Sequence, residues 1–131
     1  MPSSENPRLS TAKTFGSFLE NEMKNNPRFY LFSPDETTSN KLDAVYNSSE
    51  RAWSSLEIRP QDLKESKNGR IVELLSENTL FAVMLGHILN GEPAAMTSYE
   101  SFFTIITSQI LQHLKFLNQS EKVSWRPDYP S

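Results

Sequence analysis

The sequence predicts an α/β fold, a partial doubly wound parallel sheet with three main helices. Three observations carry this reading. Segments with apolar residues at helical spacing alternate with short runs rich in strand formers. The order is helix, strand, polar insert, strand, helix, strand, helix, the order of a parallel sheet with crossover helices. Proline, glycine or a capping serine punctuates most of the joins.

The elements follow in chain order. In residues 10–26, Phe15, Phe18, Leu19 and Met23 recur at helical spacing, Ser10 offers a cap and Pro27 stops the helix. Residues 28–33 (RFYLFS), held between Pro27 and Pro34, are too short for a helix and read as a buried strand. The following SPDETTSN (33–40) occupies the carboxyl end of that strand, where open α/β sheets bind ligands, so it is a candidate site loop. The same string also reads as a turn, with Ser39 or Asn40 capping a short helix over 41–46. Residues 47–68 form a polar insert anchored by Trp53, Leu56, Ile58 and Leu63. Residues 69–76 (GRIVELLS) give a second short strand or an extended entry that ends at Glu77. Residues 79–89 are apolar on nearly all sides, which predicts a helix covered on more than one face, stopped by Gly91 and Pro93. Residues 94–97 suit a third strand. Ser98 is then placed to cap a last helix reaching residue 117, with Phe102, Ile105, Ile106, Ile110, Leu114 and Leu117 as its core stripe and Gln109, Gln112 and Lys115 off it. The expected organisation is a disordered 1–9, one domain over 10–118, and a loose tail over 119–131.

Composition narrows the function. At 131 residues the chain forms one domain, burying roughly two-thirds of its unfolded surface. With no cysteine there is no disulfide framework, thiolate metal site or cysteine nucleophile. The N-terminus has no signal pattern and no apolar run nears the roughly 20 residues of a membrane span, so the expectation is a cytoplasmic protein without membrane attachment. A net charge of -3 argues against nucleic acid as a partner. The four glycines form neither GxGxxG nor GxxxxGK[ST]. His87 and His113 show no metal-ligand spacing, and the sequons at Asn47 and Asn118 read as chance matches.

Four strings in order, FSPDETTSNKLDAV (32–45), GRIVELLSENTL (69–80), SYESF (98–102) and QHLKFL (112–117), closely resemble phosphoketolases, and MKNNPRFYLFSPDE (23–36) resembles the family's entry to this region. The resemblance covers about residues 9–127. Phosphoketolases use thiamine diphosphate to cleave xylulose 5-phosphate or fructose 6-phosphate with inorganic phosphate, giving acetyl phosphate and a shortened aldose phosphate. Their transketolase-like architecture places the cofactor between the diphosphate-binding domain of one subunit and the pyrimidine-binding domain of its partner. The resemblance therefore implies a truncated pyrimidine-binding domain. It matches Glu77 to the glutamate that bonds N1′ of the aminopyrimidine, favouring the imino form whose 4′-nitrogen takes the thiazolium proton. Burial beside an apolar helix would raise that carboxyl's pKa. Tyr99 and Phe102, three apart on the final helix, match the aromatics that pack on the pyrimidine. Asp35, Glu36, Ser39 and Asn40 match the loop lining the same site.

Each matched residue also has a plain structural role. Glu77 after Ser76 suits the first turn of a helix, where the dipole favours a carboxylate, and Tyr99 and Phe102 suit a core. The departures bear on activity. Asn78 stands where the family has histidine, GEPAAMTS (91–98) replaces a glycine-arginine-histidine-glycine stretch, and the GDG stretch that holds magnesium and the diphosphate is absent from the chain. The expectation is weak thiamine diphosphate binding, no magnesium site, no activity alone, and either homo-oligomerisation or a full-length phosphoketolase-like partner. The alternative is a non-catalytic remnant that docks on a full-length relative.

Overall fold

A computed structural model describes residues 10–52 and 65–125. Helix α1 (Thr11–Asn25) leads into strand β1 (Tyr30–Ser33), a 3₁₀ turn (Asp43–Asn47) and two short strands, β2 (Arg51–Ala52) and β3 (Glu65–Ser66). Strand β4 (Ile71–Glu73), helix α2 (Glu77–Leu89), strand β5 (Ala94–Met96), a second 3₁₀ turn (Glu100–Phe102) and helix α3 (Phe103–Ser120) complete it. All pairings are parallel, in the order β3-β2-β4-β1-β5, with Leu31 opposite both Ile71 and Ala95.

Strand alternation divides the apolar residues between two cores, one on each face of the sheet. Leu31 and Ile71 join Leu19, Met23, Phe29, Leu42 and Val45 under α1 and the first 3₁₀ turn. Phe32 turns the other way, to Leu80, Phe81, Met84 and Ile106 of α2 and α3. Helices on both faces are what a parallel sheet requires, because its strands present apolar side chains both ways. The predicted fold class is therefore the observed one.

Two contacts set the spacing. Arg70, just before β4, donates through Nη1 to the carbonyls of Met23, Asn26 and Phe29 at 3.0, 3.1 and 3.2 Å, and through Nη2 to that of Ser48 at 3.2 Å. These carbonyls end α1, enter β1 and leave the first 3₁₀ turn, so one guanidinium pins three segments to β4. Beside it, a Cβ on Gly69 would overlap the Arg51 carbonyl and lie 2.5 Å from Ala52 N. Only glycine lets β4 approach β2 this closely.

The structure corrects several expectations. The polar insert contributes β2 and β3 at its ends; Trp53, Leu56, Ile58 and Leu63 lie outside the described residues. The first 3₁₀ turn is preceded by Leu42 with no side-chain cap, and Ser39 and Asn40 belong to the preceding turn instead. Residues 98–102 are not the start of the last helix: α3 begins at Phe103, and no side chain caps it or the 3₁₀ turn before it. Helix α2 is covered along one line, Leu80, Phe81 and Met84, while Val83 is 50% exposed. On α3 only Ile106 of the expected stripe is buried, and Leu114 is 54% exposed. Sheet and helix contacts run along a single seam, so apolarity on the remaining faces finds no cover within the described residues.

Arg70→Met should cost about 3 kcal/mol in urea-denaturation stability, since it strips buried carbonyls of a charged donor. Gly69→Ala should cost a similar amount, about 3 kcal/mol, the upper part of the usual overpacking range, read from the same titration.

Candidate ligand site at the carboxyl edge of the sheet

The carboxyl ends of β1, β4 and β5 lie at one level, and the loops leaving them bring together the polar residues singled out from sequence. The β1 loop divides its two acids. Asp35 takes φ 61° and points outward, a conformation uncommon outside glycine but tolerated by aspartate. Glu36 turns inward and is only 8% exposed. Its backbone N–H donates to Ser33 Oγ at 3.1 Å, and its carbonyl accepts from Asn40 N at 2.9 Å and from Ser39 Oγ at 3.1 Å. Ser39 is exposed and its hydroxyl is used in closing the turn. Asn40 is half-buried beside the Glu36 carboxylate.

Burial pushes the Glu36 carboxyl above its ordinary range, and the charges of Glu77 and Asp35 push the same way. The Tyr99 backbone N–H and the Asn40 amide oppose the shift without reversing it. The Asn40 amide and the Tyr99 N–H are thus the groups that face the buried Glu36 carboxylate.

Glu77 is the first residue of α2 and is half-buried. Ser76 caps the helix, its side chain accepting from Thr79 N at 3.4 Å, so the plain structural role of a first-turn carboxylate holds for Glu77. That placement also aims the carboxylate at the carboxyl edge, within electrostatic reach of Glu36. Tyr99 precedes the second 3₁₀ turn in extended conformation and Phe102 ends it. They do not share a face of α3 as the sequence suggested. A 3₁₀ turn eclipses positions three apart, so the rings still meet, with centroids 6.2 Å apart. Both are 41% exposed, an aromatic pair open on one side rather than a core pair.

Sequence reasoning missed the polar network beside this loop. Glu73, ending β4, accepts from Thr37 Oγ1 at 2.6 Å and Tyr46 OH at 3.1 Å, and pairs with Arg51 Nε at 2.6 Å. Arg51 also donates to Tyr46 OH at 3.0 Å and lies over its ring. Burial alone would lower the Arg51 pKa, but Tyr46 and Glu73 outweigh it and the net shift is upward. Asp35, Arg51, Glu65, Glu73, Leu74 and Leu75 line a cavity of about 440 Å³. Gln109 of α3 was also missed. Its Nε2 donates to the Asn78 carbonyl at 3.1 Å, tying α3 to the first turn of α2; its position off the apolar stripe was the only sequence signal. Among the described residues no group of three or more histidines, aspartates or glutamates is placed to hold a metal, and no helix is long and apolar enough to cross a membrane.

A parallel sheet with helices on both faces, carrying carboxylates and a half-open aromatic pair at its carboxyl edge, places the chain in the doubly wound α/β class, where that edge is the usual ligand side. Comparison with known proteins is more specific. The family model for D-xylulose 5-phosphate/D-fructose 6-phosphate phosphoketolase matches residues 13–131. A probable phosphoketolase of Thermosynechococcus vestitus is 40% identical over 126 residues, covering 94% of this chain and 16% of the relative. Probable phosphoketolases of Nostoc sp. and Methylococcus capsulatus are each 42% identical, over 90% and 88% of this chain and 15% of their own length. The chain belongs to the phosphoketolase family and spans 15–16% of the length of these curated relatives. Its α/β fold is consistent with part of a thiamine-diphosphate pyrimidine-binding domain.

Glu36 binds a proton more tightly in the folded than in the unfolded chain. Its contribution to stability is therefore present below the ordinary value of 4.5 and lost as pH rises through the folded value. Glu36→Gln should flatten the decline in melting temperature from pH 4.5 to 7.5; a decline equal to that of the unsubstituted chain would contradict a buried, proton-holding Glu36.

Proposed function

We propose that this chain is the pyrimidine-side portion of a phosphoketolase site, with Glu77 as its working carboxylate and Asp35, Glu36, Ser39, Asn40, Tyr99 and Phe102 around it. The family reaction is phosphorolytic carbon-carbon cleavage of a ketose phosphate to acetyl phosphate. The reading is supported above all by one arrangement: a half-buried Glu77 at the start of α2, on the same sheet edge as a half-open Tyr99–Phe102 pair.

These residues suit the pyrimidine half of thiamine diphosphate, offering a carboxyl for a ring nitrogen and two aromatic faces for the ring. When bound, thiamine diphosphate supplies a nucleophilic thiazolium carbon for cleaving the bond beside the ketose carbonyl. Glu77 would hold the ring nitrogen N1′ by sharing a proton with it, and Tyr99 and Phe102 would keep the ring plane fixed. The described residues have no metal cluster for the diphosphate half. A few hydrogen bonds and two aromatic contacts amount to a few kcal/mol, of the order that association itself consumes. Cofactor binding by these residues alone is therefore weak, and turnover requires diphosphate-binding parts outside residues 1–131, such as a full-length phosphoketolase-like partner would supply.

The second reading is a non-catalytic remnant or interaction module that docks on a full-length relative. Asn78, in place of the family's histidine, favours it: its side chain is exposed and its carbonyl is taken by Gln109.

Purified chain given xylulose 5-phosphate or fructose 6-phosphate, phosphate and thiamine diphosphate should form acetyl phosphate at background rate; measurable production would overturn the dependence on another chain. With a full-length relative present, any stimulation should disappear in Glu77→Gln, a loss of at least tenfold. Stimulation unchanged by that substitution would remove Glu77 from the mechanism and favour the docking module.

A further inference from the structure

Among the described residues no strand pairs with the outer side of β5, where the sheet ends. The backbone there is open. The Tyr30 N–H donates to the Pro93 carbonyl at 3.2 Å and the Thr97 N–H donates to the Phe32 carbonyl at 2.9 Å, so Pro93, Ala95 and Thr97 turn their polar backbone groups to β1. Alternation then turns the N–H and C=O of Ala94 and Met96 outward, a line of donors and acceptors with no strand beside it. Edge strands commonly deter pairing with a charge or a proline, and residues 94–99 contain neither.

Helix α3 roofs the ground beyond that edge. α2 lies over β1 and β5, and α3 packs on α2 on the same face of the sheet. The β4–α2–β5 crossover passes over β1, and a crossover of the same hand on the same face carries the chain further out, past β5. Packed helices stand about 8–10 Å apart and neighbouring strands about 4.8 Å, so α3 overhangs roughly one to two strand positions beyond β5. Gln109 meets α2 and Ile106 meets the core around Phe32, which leaves Phe103, Thr107, Leu111 and Leu114, an uncharged stripe at helical spacing, on the side of the overhang. Phe103, Leu111 and Leu114 are all exposed.

We propose that the outer edge of β5, roofed by α3, is a strand-accepting site: it takes one extended segment of another chain, parallel to β5, with apolar residues at alternate positions facing Phe103 and Leu114. Main-chain bonds to Ala94 and Met96 hold the segment, and the stripe of α3 selects its apolar positions. A second copy of this chain does not fit, because an antiparallel two-fold pairing of β5 with its own copy would bring two overhanging α3 helices into the same space. The occupant is therefore a partner that offers a bare extended strand. The site uses none of the residues assigned to the cofactor and does not rest on that reading.

Titration of the ¹⁵N-labelled full chain with the synthetic peptide KTVTVTVTK, followed by amide NMR, tests this. Saturable shifts and at least tenfold slower hydrogen exchange are expected at the Ala94 and Met96 amides, with neither at Glu65 and Ser66 on the other edge of the sheet. The peptide KTVTPTVTK, which lacks the central donor, should bind at least tenfold more weakly. Met96→Pro removes an outward N–H and no ladder bond, and Leu114→Lys places a charge at an exposed position of the stripe. Each should weaken binding of KTVTVTVTK at least fivefold while leaving the thermal melt cooperative. Absence of saturable shifts at Ala94 and Met96, equal binding of the proline peptide, or wild-type affinity in whichever variant folds would overturn the site. Dimerisation of the peptide-free chain that protects the same two amides would overturn it in favour of a second copy. Peptide binding and the response to thiamine diphosphate are separate readouts, so the failure of one leaves the other standing.

Discussion

Four carbonyl oxygens from three parts of the chain converge on the guanidinium of Arg70. The last carbonyls of a helix have no partner within it, and those of Met23 and Asn26 close α1. Arginine suits the place because its planar fork offers several donors in fixed directions while the charge strengthens each bond. The result is a fixed distance between α1, β1 and β4. Leu31 N donates to the Arg70 carbonyl at 2.9 Å, so the same residue also starts the β1–β4 ladder. The level of the carboxyl edge, and so the meeting of Glu36 with Glu77, depends on where that ladder begins.

At the edge, two buried acids have opposite environments. Glu73 accepts from Thr37 and Tyr46 and pairs with Arg51, so its negative charge is compensated within the fold. Glu36 is buried to a similar depth, but among the described residues it faces an amide and a backbone N–H rather than a cation. Burial disfavours a charge unless partners return the lost solvation, and here the fold supplies a cation to one carboxylate and only neutral donors to its neighbour. The charge is compensated in the half of the edge around Glu73 and less fully compensated in the half around Glu36, a division expected where stability and function share a small area.

Fold class, the three main helices and the positions of strands β1, β4 and β5 were legible because they rest on short-range physics. Pro27 and Pro34 bracket β1, Ser76 caps α2, and alternation along β1 and β4 sorts Leu31 and Ile71 from Phe32 and Val72. Strands β2 and β3 were not legible. Two-residue strands carry no periodicity, and β2 comes this close to the chain entering β4 because Gly69 has no side chain. The start of α3 was misjudged for a related reason: Ser98 reads locally as a cap, yet Thr97 is still held to the sheet and the chain must turn through residues 100–102 before it can enter a helix.

The candidate residues divide in the same way. Sequence alone determined the family strings, the carboxylate after Ser76 and the acidic β1 loop, since these are matters of residue identity and order. Tertiary structure decided which acid faces inward, that Ser39 is used in its own turn, and that Gln109 ties α3 to the first turn of α2. Burial and hydrogen-bond partnership are properties of surroundings assembled from distant segments. Asp35 and Glu36 are adjacent acids in sequence, and only the φ of 61° at Asp35 and the approach of the chain at Tyr99 give one to solvent and the other to the interior.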